Sequence, residues 1–390
     1  MSKFQAIIII AFIGCNACLV KAQGTKEEKF NPLRSGIPSL TIAPDARGGA
    51  MGDIGAATEP DIFSQYWNPA KYAFAYSKAG VGFSFTPWLA KLVDDINLSY
   101  LTGYYKLGDN DNLAIGSSFR YFSLGLIQLT GEDSTIPYNE TRPYELAFDA
   151  SVALKFTETY SQSVAFRYIF SDLGSGVRDD GMYPASAVAV DVAGYYNNYL
   201  MMGSSECLLG LGYNISNIGN KVSYDGGNTN VFLPTNLRVG ASLLYPMDDY
   251  NTLSFNVDLN KYLIPTPPDL EGVDDKPAAM QPYYDTSPIA GIFKSFNDAP
   301  GGMKEELQEI MWSVGAEYAY DRKFFVRGGY FHESPNKGNR QYFSLGTGFK
   351  LTSFQLDVAY LISTVPSNPL DQTLRFSLSF DMDGLRGLMR

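Results

Sequence analysis

"YELAFDASVALKF", residues 144–156, alternates without a break. Tyr144, Leu146, Phe148, Ala150, Val152, Leu154 and Phe156 take one parity, and Glu145, Ala147, Asp149, Ser151, Ala153 and Lys155 the other. A period of two is that of a β-strand with one apolar and one polar face. The run is thirteen residues long, about twice a common globular strand. What lies against the apolar face decides the fold.

The pattern recurs. "SVAFRYIF" (163–170), "ASAVAVDVAG" (185–194), "NLRVGASLLY" (236–245), "TLSFNVDLN" (252–260), "SFQLDVAYLI" (353–362) and "TLRFSLSFD" (373–381) all alternate. Weaker cases lie near 80–87, 97–107, 112–122, 207–216, 311–320, 323–332 and 341–351, so the alternation predicts about fourteen strands. The links between them differ by turns. "KLGDNDN", "TETYSQ", "PMDD", "YDRK" and "KLTS" are tight, whereas 123–143, 171–184, 217–235, 261–310, 333–340 and 363–371 are longer and rich in Pro, Gly and Asn. Long and short connections at opposite ends are the mark of a barrel crossing an outer membrane. Closure follows, because an open sheet edge in hydrocarbon leaves backbone groups unpaired at several kcal/mol each. The expected fold is an all-β transmembrane antiparallel barrel of about fourteen strands, its apolar face on lipid and its polar face on the lumen.

The 390 residues include 27 Tyr and 25 Phe, an aromatic load that fits alternating membrane strands. Lys3, the apolar "AIIIIAFIG" (6–14), and Val20 and Ala22 ahead of Gln23 read as an export signal over 1–22. A lipoprotein reading ending at Cys15 has Phe12 where Leu is usual. Removal of the signal takes Cys15 and Cys18, leaving Cys207 and no internal disulfide. It also takes Lys3 and Lys21, moving the formal charge from −11 to −13. With no basic cluster, nucleic acid is not an expected partner. The predicted organisation is a signal (1–22), an N-terminal segment (23–79), the barrel (80–382) and a tail (383–390). The N-terminal segment suits an inward plug or a periplasmic extension. Within the link 261–310 an extended, irregular first half and a short helix after Gly302 are expected.

Catalytic patterns are missing from the sequence. One His (His332) and one mature Cys cannot make a zinc cluster, and neither a GxSxG elbow nor a phosphate-binding loop is present. "GDNDN" (108–112) and "DMDG" (381–384) lack the spaced ligands of a calcium loop. No enzyme, metal or cofactor is expected, although a lipid-modifying hydrolase built from Ser and Asp alone stays open. Glu145, Asp149, Arg167, Asp191, Arg238, Asp258, Glu317, Arg327, Asp357 and Arg375 fall on lumen parity with both signs of charge, which reads as a solvated or ion-paired interior.

One segment carries a resemblance. "PSLTIAPDARGGAMGDIGAATEPDIFSQYWNPAKYAF" (38–74) resembles the opening of the PorV family of the type IX secretion system. Its "DIGAATEPDIFSQYWNPA" portion more loosely resembles the FadL family of hydrophobic-molecule transporters. The first resemblance implies a non-enzymatic outer-membrane shuttle with loops at the surface of a Gram-negative cell. It would bind C-terminal signal domains of secreted cargo, receive them from a translocon barrel and deliver them to an attachment complex containing a PorU-like sortase. The motif residues Asp45, Arg47, Gly52, Asp53, Trp67, Asn68 and Pro69 would shape the segment ahead of the wall. Cargo or partner contact is expected on the 261–310 link at Tyr262, Pro265, Pro268, Tyr283, Tyr284, Ile292 and Phe293, because Pro lowers ordering cost and Tyr offers amphipathic area. The competing expectation is a FadL-like transporter with an apolar pocket inside the barrel.

Overall fold

A computed structural model describes residues 30–382 apart from 90–92, 94, 109–110, 131–136, 175–182 and 367–369. The expected signal, the tail 383–390, and parts of the GDNDN, DMDG, 123–143, 171–184 and 363–371 segments lie outside the described residues. Residues Asn31–Arg390 form one compact unit.

Its wall is a closed antiparallel barrel of fourteen strands. In chain order the strands are β1 (Ala79–Pro87), β2 (Ile96–Leu107), β3 (Leu113–Leu124), β4 (Ile127–Thr130), β5 (Pro137–Thr141), β6 (Tyr144–Lys155), β7 (Tyr160–Asp172), β8 (Ala185–Met202), β9 (Ser205–Gly219), β10 (Asn236–Pro246), β11 (Asn251–Tyr262), β12 (Met311–Tyr320), β13 (Phe324–His332), β14 (Gln341–Lys350), β15 (Phe354–Ser363) and β16 (Leu374–Asp381). Each wall strand pairs with its sequence neighbour, and β1 closes on β16. The exception is β4–β5, a separate hairpin in the long link between β3 and β6.

The opening question is answered by β6. Phe148 and Val152 are 49% and 51% exposed, while Ala147, Asp149, Ser151 and Ala153 are buried. The apolar parity points out of the barrel and the small and polar parity points in. Register keeps both faces coherent around the wall: Phe119 opposes Phe148 on the outside, and Asp149 opposes Arg167 within. Since each strand's side-chain period is two, a slip of one residue would turn every apolar side chain inward.

Inside, residues 31–78 fill the lumen as a plug. Asn31 starts among the long links, bonding the Asn336 carbonyl (2.8 Å) and the Glu305 carboxylate (3.1 Å). At the other end Lys78 meets the short turns, its Nζ 2.7 Å from the Gly108 carbonyl. The plug therefore runs the length of the barrel. It contains short helices at Ala46–Ala50 and Ser64–Trp67 and 3₁₀ turns at Pro38–Thr41 and Pro69–Phe74.

Two expectations require correction. The first half of the long link, here 263–310, is not irregular throughout. Asp275 and Ser287 cap helices at Lys276–Asp285 and Pro288–Lys294, each with Pro in the first turn, where its missing N–H costs nothing. The helix expected after Gly302 is present at Met303–Gln308. The strands expected at 185–194 and 207–216 are also longer than read. β8 and β9 continue past 194 and 207 to a two-residue turn at Gly203–Ser204, with Gly203 at φ +70°.

Candidate functional site

Of the motif residues of 38–74, Asp45, Trp67 and Asn68 hold the plug to itself around residues 48–56, while Arg47, Gly52 and Asp53 face the wall. Asp45 caps the helix Ala46–Ala50, accepting the Gly48 N–H at 2.8 Å, while its other oxygen accepts the indole N–H of buried Trp67. The indole lies against Gly48 and Gly55, where a Cβ would sit 2.4 and 2.3 Å from ring atoms. Asn68 caps the turn opened by Pro69 through the Ala70 N–H (3.1 Å). Its amide also reaches the carbonyls of Ala56 (2.8 Å) and Gly194 on β8 (3.0 Å). Gly52 has φ +83° and lies against the Tyr330 backbone, where a Cβ would sit 2.8 Å from the carbonyl oxygen. Gly55→Val should therefore destabilise the protein by about 1–3 kcal/mol through overpacking, read as a lower denaturant midpoint of the purified barrel.

Charge fixes the plug to the wall. Arg47 pairs with Asp61 (2.9 Å) and with Glu317 on β12 (2.9 Å). Glu317 in turn pairs with Arg327 on β13, which reaches Asp357 on β15 at 2.6 Å. Arg375 on β16 holds Asp53 at 2.7 Å, and the Tyr342 hydroxyl donates to the same carboxylate at 2.6 Å. Arg167 bridges Asp149 (3.2 Å) and Asp191 (2.8 Å), and Asp258 accepts the Gly55 and Ala56 N–H groups. Most of the charges expected in the lumen are thus ion-paired. Arg238 instead bonds the Asn260 side chain (2.8 Å) and stacks 4.6 Å from the centre of the Trp67 ring.

The long link is tied down at the same end. Lys261 pairs with Glu309 (2.6 Å) and Glu306 (3.2 Å); Lys337, from the link after β13, pairs with Glu305 (2.6 Å) and Glu309 (2.9 Å). Thr266 donates its hydroxyl to Glu309 and its N–H to Asp298. Burial, together with the neighbouring Glu306 and Glu309 carboxylates, pushes Asp298 up to about 6. A carboxyl whose folded pKa is raised favours the folded loop in its protonated form, so this contribution is lost as pH rises from about 4 through about 6. Asp298→Asn keeps an acceptor and removes the charge. Amide exchange across 295–309 should slow in the variant at pH 7.5 and match the parent near pH 4.

This clasp rearranges the expected contact set. Pro265 and Tyr283 are buried, and Tyr262, Pro268, Tyr284 and Ile292 are half-buried. Tyr283 packs with Phe232 and Ile264 beneath the link. Only Phe293 of that set is open, at 74% exposure. The other large apolar side chains exposed on the link are Ile289, Phe296, Met303 and Leu307. Ile289 with Phe293, and Met303 with Leu307, stand four apart and share a helix face. The signal available in the sequence was a capping Ser287-Pro288 pair and Gly302, each followed by that spacing.

Below the long links, a cavity of about 340 Å³ lies between plug and wall. Its lining includes the apolar side chains of Ile42, Trp88, Leu89, Phe122, Leu124 and Leu361, and also the paired Arg375 and Asp53. His332 stacks on Trp312 at the end of β13. No cluster of metal-ligating side chains occurs among the described residues.

An outward apolar band, a polar interior and a lumen occupied by residues 31–78 define a plugged outer-membrane barrel. Residues 25–269 match the family described as "Type IX secretion system protein PorV". The chain belongs to the PorV family. No curated protein matches it. Among solved structures, a TodX monoaromatic hydrocarbon channel mutant is 11% identical, with a TM-score of 0.50 over 86% of this chain and 98% of that one. The Ralstonia pickettii toluene transporter TbuX (13%, TM-score 0.44, 86% and 96% covered) and a Pseudomonas aeruginosa FadL homologue (11%, 0.44, 90% and 99%) also align. At these identities the likeness concerns the fold alone.

Proposed function

We propose that the protein is a non-enzymatic shuttle of type IX secretion in the outer membrane, with its short turns in the periplasm and its long links at the cell surface. It receives secreted cargo by the C-terminal signal domain, takes it from the translocon barrel and hands it to the attachment complex with the PorU-like sortase. Family membership supports the secretion role. The observation that carries the capture step is the apolar surface of Ile289, Phe293, Phe296, Met303 and Leu307 on a link held by buried ion pairs. A pre-ordered link loses little entropy on binding, so its apolar side chains contribute to affinity. The test is affinity purification from native outer membrane, with and without charge at Phe293 and Leu307. Co-purification of proteins sharing a C-terminal domain, lost with the charges, is the expected result; cargo unaffected by them would move capture elsewhere.

A second reading, transport of hydrophobic small molecules, is favoured by the 340 Å³ apolar cavity. Extraction of the purified protein would then release a stoichiometric acyl or aromatic ligand, and Phe122→Asp would abolish its retention.

A further inference from the structure

The lumen arginines are satisfied in different ways. Arg47, Arg167, Arg327 and Arg375 each pair with a carboxylate, and Arg120 donates to the Ser39 and Ile42 carbonyls. Arg238 on β10 has neither arrangement. Its Nε donates to Asn260 Oδ1 at 2.8 Å, and Nη1 and Nη2 have no partner among the described residues. Asp258, diagonal to it on β11, holds the Gly55 and Ala56 N–H groups instead (2.9 and 3.0 Å). The Trp67 and Tyr66 rings lie 4.6 and 5.4 Å from the guanidinium carbon and steady its plane. Arg238 lines a chamber of about 50 Å³, and Arg340 lines it too. Arg340 holds Glu333 through Nε and Nη2 (2.8 and 3.0 Å) and stacks on Phe331, leaving Nη1 without a partner among the described residues. The two side chains meet around one strand pair. Asn260, which Arg238 bonds, opposes Met311, whose Sδ lies 3.3 Å from Arg340 Nη2. Ser216, Asn217 and Tyr262 add polar surface. At roughly 10–15 Å³ per water, such a chamber holds on the order of four waters or one small oxyanion.

We propose that this chamber is a phosphate site, with Arg238 as its principal donor and Arg340 as the second. Two guanidinium forks from different elements suit a tetrahedral group. A planar carboxylate meets one fork and leaves the other unmet. A guanidinium drawn out of bulk water without a counter-charge favours an anion over water as its partner. The chamber adjoins the 340 Å³ cavity at Asp53 and Arg340. Free phosphate and a phosphorylated lipid headgroup with its chains in that cavity are therefore two sources of the same chemistry.

The experiment titrates inorganic phosphate into the purified full-length barrel by calorimetry at low ionic strength, where screening is weak. The expected result is one phosphate per barrel, saturating below about 1 mM. Arg238→Gln should weaken binding about tenfold or more, through loss of charge-assisted hydrogen bonds. Asn260→Asp is the second variant. It keeps the acceptor used by the Arg238 and Asn236 side chains and gives Arg238 a carboxylate of its own. Phosphate binding should then be abolished in an intact barrel. Heat-dependent gel migration verifies assembly of both variants. Absence of saturable binding to the parent, or binding that neither variant changes, would overturn the proposal. Phosphorus that accompanies the purified parent and is lost from Asn260→Asp identifies the source. Extraction into chloroform–methanol marks a lipid headgroup, and recovery in the aqueous phase marks free phosphate.

Discussion

Arg327→Met is expected to destabilise the barrel by about 3–5 kcal/mol, the cost of breaking a buried ion pair by removing one partner. The Arg327 side chain is fully buried and is shared by Glu317 and Asp357. Among the described residues, its loss leaves Asp357 with the Gln355 amide and weakens the carboxylate by which Glu317 holds Arg47 of the plug. Two consequences can be measured on purified protein: a lower urea midpoint of refolded barrel, and faster proteolysis within 31–78. Adding Asp357→Asn removes the matching negative charge and keeps the Glu317–Arg47 pair, so it should recover much of the loss. A single-variant effect below about 1 kcal/mol would mean that the lumen network is solvated rather than structural.

Phe293→Asp combined with Leu307→Asp should reduce cargo retention about 100-fold or more, since exposed aromatic and aliphatic anchors at an interface each contribute about 2 kcal/mol. Neither residue joins the clasp of Lys261, Glu306, Glu309 and Lys337, so folding should be unchanged. Tyr283→Ser makes the contrast. It opens a cavity under the link beside Phe232 and should lower the link's protection from exchange before it affects cargo. Equal cargo loss from Tyr283→Ser and from the paired Asp variants would indicate that link order, not the exposed apolar surface, governs capture.

Much of the wall was legible because lipid and lumen impose opposite demands on adjacent residues. Phe148 and Asp149 face different solvents, so parity alone reports the environment. The same logic failed at β8 and β9 beyond residue 194. There "YYNNYLMM" (195–202) leaves the membrane-spanning register and both faces become mixed, although pairing continues for six residues past β7. It failed again in the long link, where Pro277 and Pro288 suggested irregular chain but sit in first helical turns. Residue type left the burial of the expected contact residues open for a related reason. Tyr283 and Pro265 are as suited to a partner as to an interior, and it is the tertiary packing that buries them, Tyr283 against Phe232 and Ile264.

By itself the sequence determined the strand parity, the count of wall strands, the alternation of short and long connections, and the motif through Asp45, Trp67 and Asn68, since each depends on neighbours a few residues apart. The tertiary structure decided which charges pair, that residues 31–78 run the length of the lumen, and which apolar side chains of the long link remain open. Those outcomes join Arg47 to Glu317 and Asn31 to Asn336, partners some 270 and 300 residues distant. Coulomb and hydrogen-bond energies depend on separation in space, and barrel closure is what brings these groups together.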